Sequence, residues 1–147
     1  MKKTAAIIFI LLFALNGAAQ SLIRSGRNEY STPLYTWNGT CLRSGNSRYS
    51  KPLINFDGEY IRKGDNRYGE ILYNWNGREL RGGRDRYSKP LFNWDGKTIR
   101  QGDSRYTAGM YNFDGQYLRK GDEKYSQPLM NMSGPVPPAV LIYILLL

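Results

Sequence analysis

A 19-residue unit recurs six times along this chain without insertion or deletion, beginning at Arg24, Arg43, Arg62, Arg81, Arg100 and Arg119. That period constrains the fold more than any other feature, because a unit this short cannot bury its own apolar face and the copies must share a core. In register, each copy reads approximately Arg-x-Gly-[Asp/Asn]-x-Arg-Tyr-Ser-x-Pro-Leu-Tyr-Asn-[Trp/Phe]-[Asp/Asn]-Gly-x-x-[Leu/Ile], and the stretch from Arg81 to Ile99 is among the fullest versions.

Asn38-Gly39, Asp57-Gly58, Asn76-Gly77, Asp95-Gly96 and Asp114-Gly115 each separate two short apolar-alternating runs. Such a dipeptide is the strongest short-range signal for a β-hairpin, since a type I′ turn needs positive φ at both central residues. Placing Asp95-Gly96 in the loop pairs Trp94 with Lys97, Asn93 with Thr98, Phe92 with Ile99 and Leu91 with Arg100. Phe92, Trp94 and Ile99 then share one face, and Leu91, Asn93, Thr98 and Arg100 share the other. The equivalent apolar sets are Tyr35/Trp37/Leu42, Ile54/Phe56/Ile61, Tyr73/Trp75/Leu80 and Tyr111/Phe113/Leu118, and this is the face expected to be buried. Stretches such as Lys63-Gly64-Asp65-Asn66 and Gln101-Gly102-Asp103-Ser104 supply the glycine that turns the chain toward the next copy.

The expectation is an all-β chain of six hairpins held together by cooperation between repeats, because one hairpin is marginal in water while each large buried apolar side chain contributes about 1.5 to 3 kcal/mol. A radial array around a hub, a linear β-solenoid and a closed meander barrel all meet that requirement. A bulky aromatic and an aliphatic at the same place in every copy, with no polar capping copy at either end, point to the radial, flower-like array around a shared aromatic core; the linear β-solenoid is the alternative. Arms of roughly four to six residues fall short of the 9 to 11 that a membrane-spanning strand needs.

The ends read differently. Residues 1–19 have the form of a secretory signal peptide: Met1-Lys2-Lys3, the apolar run Ala5 to Leu15, and the small residues Gly17-Ala18-Ala19. Residues 20–134 form a single hairpin-repeat domain. Residues 135–147 are a Pro-rich turn, Pro135-Val136-Pro137-Pro138, followed by nine apolar residues from Ala139 to Leu147, too few to cross a bilayer as a helix. The tail is expected either to pack into the repeats as a buried strand or plug, to touch a membrane surface, or to insert into a protein partner. No transmembrane segment is expected in the mature chain, and an exported location, in a periplasm, on a cell surface or outside the cell, follows from the leader.

With Tyr-Asn-[Trp/Phe]-[Asp/Asn]-Gly followed by Arg-x-Gly-Asp, the stretch from Arg24 to Gly134 resembles bacterial proteins of the four-fold beta flower type, here with six copies. The resemblance implies short glycine-turn hairpins radiating from a centre, and it implies no particular reaction. A weaker likeness connects the aromatic-Asn-Asp-Gly rhythm to choline-binding repeats, but dense arginine disfavours a cationic ligand.

Composition removes whole classes of chemistry. The chain has no histidine and one cysteine, Cys41, which leaves no usual zinc or non-haem iron ligand set, no triad base and no internal disulfide. Cys41 occupies a position filled elsewhere by Tyr60, Glu79, Thr98 and Tyr117. A glycosidase would need two opposed carboxylates, but Asp57, Asp95 and Asp114 are accounted for by turns, and Glu59, Glu70, Glu79 and Glu123 fall at different repeat positions. Gly64-Asp65-Asn66 and Gly102-Asp103-Ser104 superficially match calcium turns, yet arginine, Arg27 or Arg84, takes the aspartate's place in other copies. Neither catalysis, metal nor cofactor is expected.

Charge favours binding. The whole chain carries +9, and without Lys2 and Lys3 it has 19 basic against 12 acidic residues, a balance of +7 that favours anionic partners. Arg48, Arg67, Arg86 and Arg105 each precede a tyrosine, Tyr49, Tyr68, Tyr87 and Tyr106, giving a ladder of eight candidate binding residues able to grip sulfate, phosphate or carboxylate groups along a polymer. The competing reading puts the tyrosines in the core, with the arginines making cross-strand ion pairs or solvating the turn. The functional expectation is a non-enzymatic binding module for an anionic glycan or envelope polymer, with nucleic acid disfavoured by export; the alternative is a structural or assembly component of a secreted or envelope complex.

Overall fold

The computed structural model describes residues 20–147, so the leader-like segment lies outside the described residues. Twelve short strands follow one another: β1 (Ser21–Ser25), β2 (Tyr35–Trp37), β3 (Cys41–Ser44), β4 (Ile54–Phe56), β5 (Tyr60–Lys63), β6 (Ile71–Trp75), β7 (Glu79–Gly82), β8 (Phe92–Trp94), β9 (Thr98–Gln101), β10 (Tyr111–Phe113), β11 (Tyr117–Lys120) and β12 (Pro128–Met132). Each pairs antiparallel with its neighbours in sequence, and β12 pairs with β1, so the sheet closes into a barrel. Six hairpins thus surround one centre, as the radial reading expects, and the linear solenoid is excluded.

The turn geometry differs from the type I′ expectation. The glycine of each of the five Asx-Gly turns has positive φ, Gly96 at 98°, but no non-glycine residue among the described residues does. The loop sits one residue later, at Gly96-Lys97: the Asp95 amide donates to the Thr98 carbonyl at 3.3 Å, and the Asp95 carboxylate accepts from the amides of Lys97 (3.0 Å) and Thr98 (2.7 Å). Aspartate therefore caps the turn with its side chain instead of entering the left-handed region itself, leaving glycine to supply the positive φ. Trp94 consequently pairs with Ile99, Asn93 with Arg100 and Phe92 with Gln101. A displacement of two preserves strand alternation, so Phe92, Trp94 and Ile99 still share the inner face.

That inner face is the core. Ile23, Leu42, Ile54, Ile61, Leu80, Ile99 and Leu118 are buried to within 1% of complete, joined by Trp37, Phe56, Trp75, Phe113 and Met132. Tyr35, Tyr73, Phe92, Trp94 and Tyr111 pack against them half-buried. The apolar tail completes the interior, as a helix where the sequence left strand or plug open: α1 (Pro138–Leu146) begins at Pro-Pro, where the fixed φ of proline suits the first helical turn. Ala139, Val140, Leu141 and Ile142 are consecutive and all buried. At 100° per residue they cover most of the helix circumference, so only a surrounding wall can bury them. The wall is the barrel, and Tyr143 meets Tyr73 edge-on with ring centroids 6.4 Å apart. Twelve strands enclose more space than side chains alone fill, and a central helix occupies it.

The sixth hairpin is assembled from the first and last strands, β1 and β12. Met132-Ser133-Gly134 stands where Phe56-Asp57-Gly58 stands in an intact copy, and Ser21-Leu22-Ile23 stands where Glu59-Tyr60-Ile61 does. Ile23 pairs with Met132, and the Ser133 hydroxyl accepts the Leu22 amide at 2.8 Å, doing what the Asp57 carboxylate does for the Tyr60 amide at 2.7 Å. The Ser133 amide donates to the Leu22 carbonyl at 3.0 Å. Beyond Gly134 the chain leaves the wall and enters the bore.

On the outer face lies a feature the alternation did not disclose. Asn55, Asn74, Asn93, Asn112 and Asn131 point away from the apolar core, yet each is at least 95% buried, because the loop joining one hairpin to the next folds back over it. Asn93 Nδ2 donates to the carbonyls of Gly102 (2.8 Å) and Ser104 (3.1 Å); the other four repeat the pattern, and Thr36 makes one bond of this kind, to Gly45 at 2.5 Å. Replacing Asn93 by Ala is expected to cost about 1 to 3 kcal/mol, since two partly buried carbonyls lose their donor. Asn93→Thr, which can imitate Thr36, should recover part of that loss; equilibrium unfolding in denaturant measures both.

Candidate functional site

The loops held down by these asparagines carry the Arg-Tyr ladder. A second tie comes from the arginine that opens five of the six units: Nε of Arg24, Arg43, Arg81, Arg100 and Arg119 donates to a carbonyl seven residues on, at 2.8 to 3.1 Å. Within the loop, the amides of Tyr30, Tyr49, Tyr68, Tyr87 and Tyr106 are each accepted by the side-chain oxygen two residues earlier, on Asn28, Ser47, Asn66, Asp85 and Ser104. These are Asx and Ser turns that need no regular strand. In the Tyr30, Tyr49, Tyr87 and Tyr106 loops the backbone is therefore fixed from three directions.

Its tip is a tyrosine in the open. Tyr30, Tyr49, Tyr68, Tyr87, Tyr106 and Tyr125 are 87% to 98% exposed, which excludes the reading that places them in the core. Arg48, Arg67, Arg86 and Arg105 are exposed beside them. The cross-strand ion pairs belong instead to the unit-opening arginines: Arg62 to Asp57 at 2.6 Å, Arg100 to Asp95 at 2.6 Å and Arg119 to Asp114 at 2.9 Å. Of the four ladder arginines, Arg86 alone is paired among the described residues, bridging to Glu59 of the preceding hairpin and reaching the Tyr60 hydroxyl at 3.2 Å. The structure thus displays all eight candidate residues on equivalent loops around the barrel, but does not stack each guanidinium on its own tyrosine. Only Lys124, at the equivalent position of the last loop, lies over the next ring, 5.8 Å from the Tyr125 centroid.

Between adjacent hairpins the same geometry forms grooves. Each is walled by a turn of one hairpin and by the aromatic-Asx-Gly corner of the next, with the residue preceding the loop tyrosine reaching over in several. One, of 650 Å³, includes Thr40, Phe56, Asp57, Arg62, Arg67 and Tyr68. Another, of 570 Å³, includes Trp94, Lys97, Phe113, Arg119 and Lys124. A third, of 820 Å³, lies at the closure and includes Glu29, Tyr30 and Gln116. Sequence reasoning did not reach Lys97 or Lys124, because they belong to different units and meet only once the barrel closes.

The turn carboxylates are electrostatically committed. Partial burial pulls the Asp57 carboxyl upward, but the amide of Tyr60 and the Arg62 guanidinium outweigh it and hold the group below the ordinary carboxylate value. Asp95 is lowered against the same burial effect by Arg100 and the amides of Thr98 and Lys97, and Asp114 by the amides of Tyr117 and Gln116 together with Arg119. A carboxyl whose folded pKa lies below its unfolded one stabilises above the unfolded value of about 3.9 and loses that contribution as pH falls through the folded value. Asn38 and Asn76 cap the equivalent turns without charge. Asp57→Asn/Asp95→Asn/Asp114→Asn should therefore keep the caps, be less stable than the parent at pH 7, and converge with it toward pH 2; denaturation midpoints across that range test this. Burial pushes the Cys41 thiol up, with Arg43 opposing and Asp65 adding to it, the opposite of an activated nucleophile.

A closed ring of hairpins whose connecting loops present tyrosine and arginine outward is the architecture of a repeat scaffold. A family model for 6-fold beta flower proteins matches residues 23–144, and the chain belongs to that family. No curated protein and no solved structure matches it.

Proposed function

We propose that this beta flower protein is a non-enzymatic, exported binding module that grips anionic polymers, such as acidic polysaccharide of a cell envelope or extracellular matrix, through its ring of loop tips. The observation that carries this reading is the near-complete exposure of six tyrosines on loops whose backbones are tied by asparagine, arginine and Asx turns. Holding a large aromatic in water on a prepaid, rigid loop lowers the ordering cost of binding, and repetition around a ring multiplies weak contacts. Five of the six residues before these tyrosines are cationic, Glu29 being the exception, which selects for an anionic ligand.

The test is binding of the mature protein to immobilised acidic and neutral polysaccharides at low salt, followed by salt titration. Retention on acidic polymers that falls steeply with ionic strength supports the reading; no retention on any acidic polymer at low salt overturns it.

A second reading, a structural or assembly part, draws on Leu34, Leu91, Met110 and Leu129, which occupy one repeat position and are 37% to 42% exposed. They would meet a second copy of the chain. Sedimentation showing a monomer at high concentration removes this reading.

A further inference from the structure

We propose that the groove between the β8–β9 and β10–β11 hairpins is a discrete subsite for one carboxylated sugar residue. It rests on the anionic-polymer reading and adds to it a particular site and ligand.

What faces what across the groove separates it from two of its equivalents. At the Trp75 groove, the tip residue Arg86 is bridged to Glu59 on the preceding turn, so the two charges cancel. At the closure, Glu29 accepts from Gln116 Nε2 at 2.9 Å and from the Tyr117 hydroxyl at 3.2 Å. In both, the tip is fastened across the groove. In the groove between β8–β9 and β10–β11 the corresponding residues are Lys97 on the turn and Lys124 on the loop, and both line it; of the other repeat positions, Arg78 and Arg105 alone also place two cations there. Two ammonium groups cannot fasten to each other. The acid nearby does not compensate them, since Asp114 is held by Arg119 at 2.9 Å and by the amides of Gln116 and Tyr117.

The walls add the second half of the argument. Trp94 and Phe113 line this groove with ring centroids 6.2 Å apart, and Trp94 is half-buried where Trp37 and Trp75 are buried, so part of its indole faces the opening. A pyranose presents C–H bonds of slight positive charge to the negative face of an indole, while its carboxylate is drawn to the two lysines. The 570 Å³ volume falls in the range of small-ligand sites. Aromatic wall and cationic rim together select an acidic sugar over a neutral sugar or a bare anion.

The probes are tetragalacturonate, its neutral methyl ester and tetrathymidylate, titrated into full-length mature protein by calorimetry and indole fluorescence. Tetragalacturonate should bind, the ester should bind much more weakly, and Lys97→Gln/Lys124→Gln should weaken the acid by about tenfold or more, as expected for loss of two charge-assisted contacts, at unchanged melting temperature. Trp94→Phe should weaken it and abolish the fluorescence change; if that variant misfolds, the lysine variant alone decides. Binding unaffected by the lysine pair, equal binding of the methyl ester, or tighter binding of tetrathymidylate each overturns the subsite. Immobilised polygalacturonate, run in parallel with Arg48→Ala/Arg67→Ala/Arg86→Ala/Arg105→Ala, separates the two proposals. Polymer retention that is lost in the arginine variant while tetramer binding ignores the lysine pair sinks the subsite and supports the ring. Tetramer binding that depends on the lysines while polymer retention ignores the arginines sinks the ring and supports the subsite.

Discussion

Truncation after Gly134 is expected to leave a chain that collapses without cooperative unfolding, even though all twelve strands and every hairpin turn remain. The helix supplies Val140, Leu141, Ile142 and Ile144 to the core, each at least 95% buried. At about 1.5 to 3 kcal/mol per large apolar side chain, those four are worth about as much as the 5 to 15 kcal/mol that separates a folded domain from its unfolded ensemble. The remaining wall cannot compensate by shrinking, because the bore of a closed barrel follows from its strand number. A milder version keeps the test quantitative: Leu141→Ala should destabilise by about 2 to 5 kcal/mol through a cavity that twelve hydrogen-bonded strands cannot close. Denaturant unfolding followed by tryptophan fluorescence reads both. A truncated protein that still unfolds cooperatively near the parent midpoint would show that the barrel is self-sufficient.

The second large effect concerns the loop tips. Replacing Tyr49, Tyr68, Tyr87 and Tyr106 together with alanine is expected to lower apparent affinity for an acidic polysaccharide by about 10²- to 10⁴-fold, because linked weak contacts multiply and their loss does too. Their rings touch almost nothing, so the melting temperature should stay within a degree or two of the parent, surface substitutions away from caps and core being worth at most about 0.5 kcal/mol each. Surface plasmon resonance at two salt concentrations, with single-tyrosine variants alongside, distinguishes avidity from a dominant single contact. A full-strength interaction after loss of all four rings would remove the tyrosines from the site.

Much of the architecture was legible in the sequence because period 19 and period 2 act together. The Asx-Gly dipeptides located five turns, and alternation from Phe92 to Ile99 assigned the correct face even with the loop placed one residue early, since that error shifts the pairing by two. Burial of Asn93 was not legible: a polar residue on the outward face reads as solvated, and only the returning Gly102–Ser104 backbone makes it a buried anchor. The tail was readable as apolar but not as helical, because nine residues apolar on every side carry no periodicity. At the site, the Arg-Tyr repeat announced a ladder, and the exposure of the tyrosines shows that their rings are not part of the core. Lys97 and Lys124 stayed hidden for a different reason: nothing within one unit says which residue of the next will stand opposite.

The central helix also bears on how many petals such a chain can carry. Loss of one 19-residue copy would take two strands from twelve and tighten the circumference around a cylinder that cannot become thinner, while a duplicated copy would leave an annular void around it. Expansion or contraction by whole units, the easiest change for a tandem array to undergo, is therefore opposed by the last nine residues of the fold, which favour hexameric count over its neighbours.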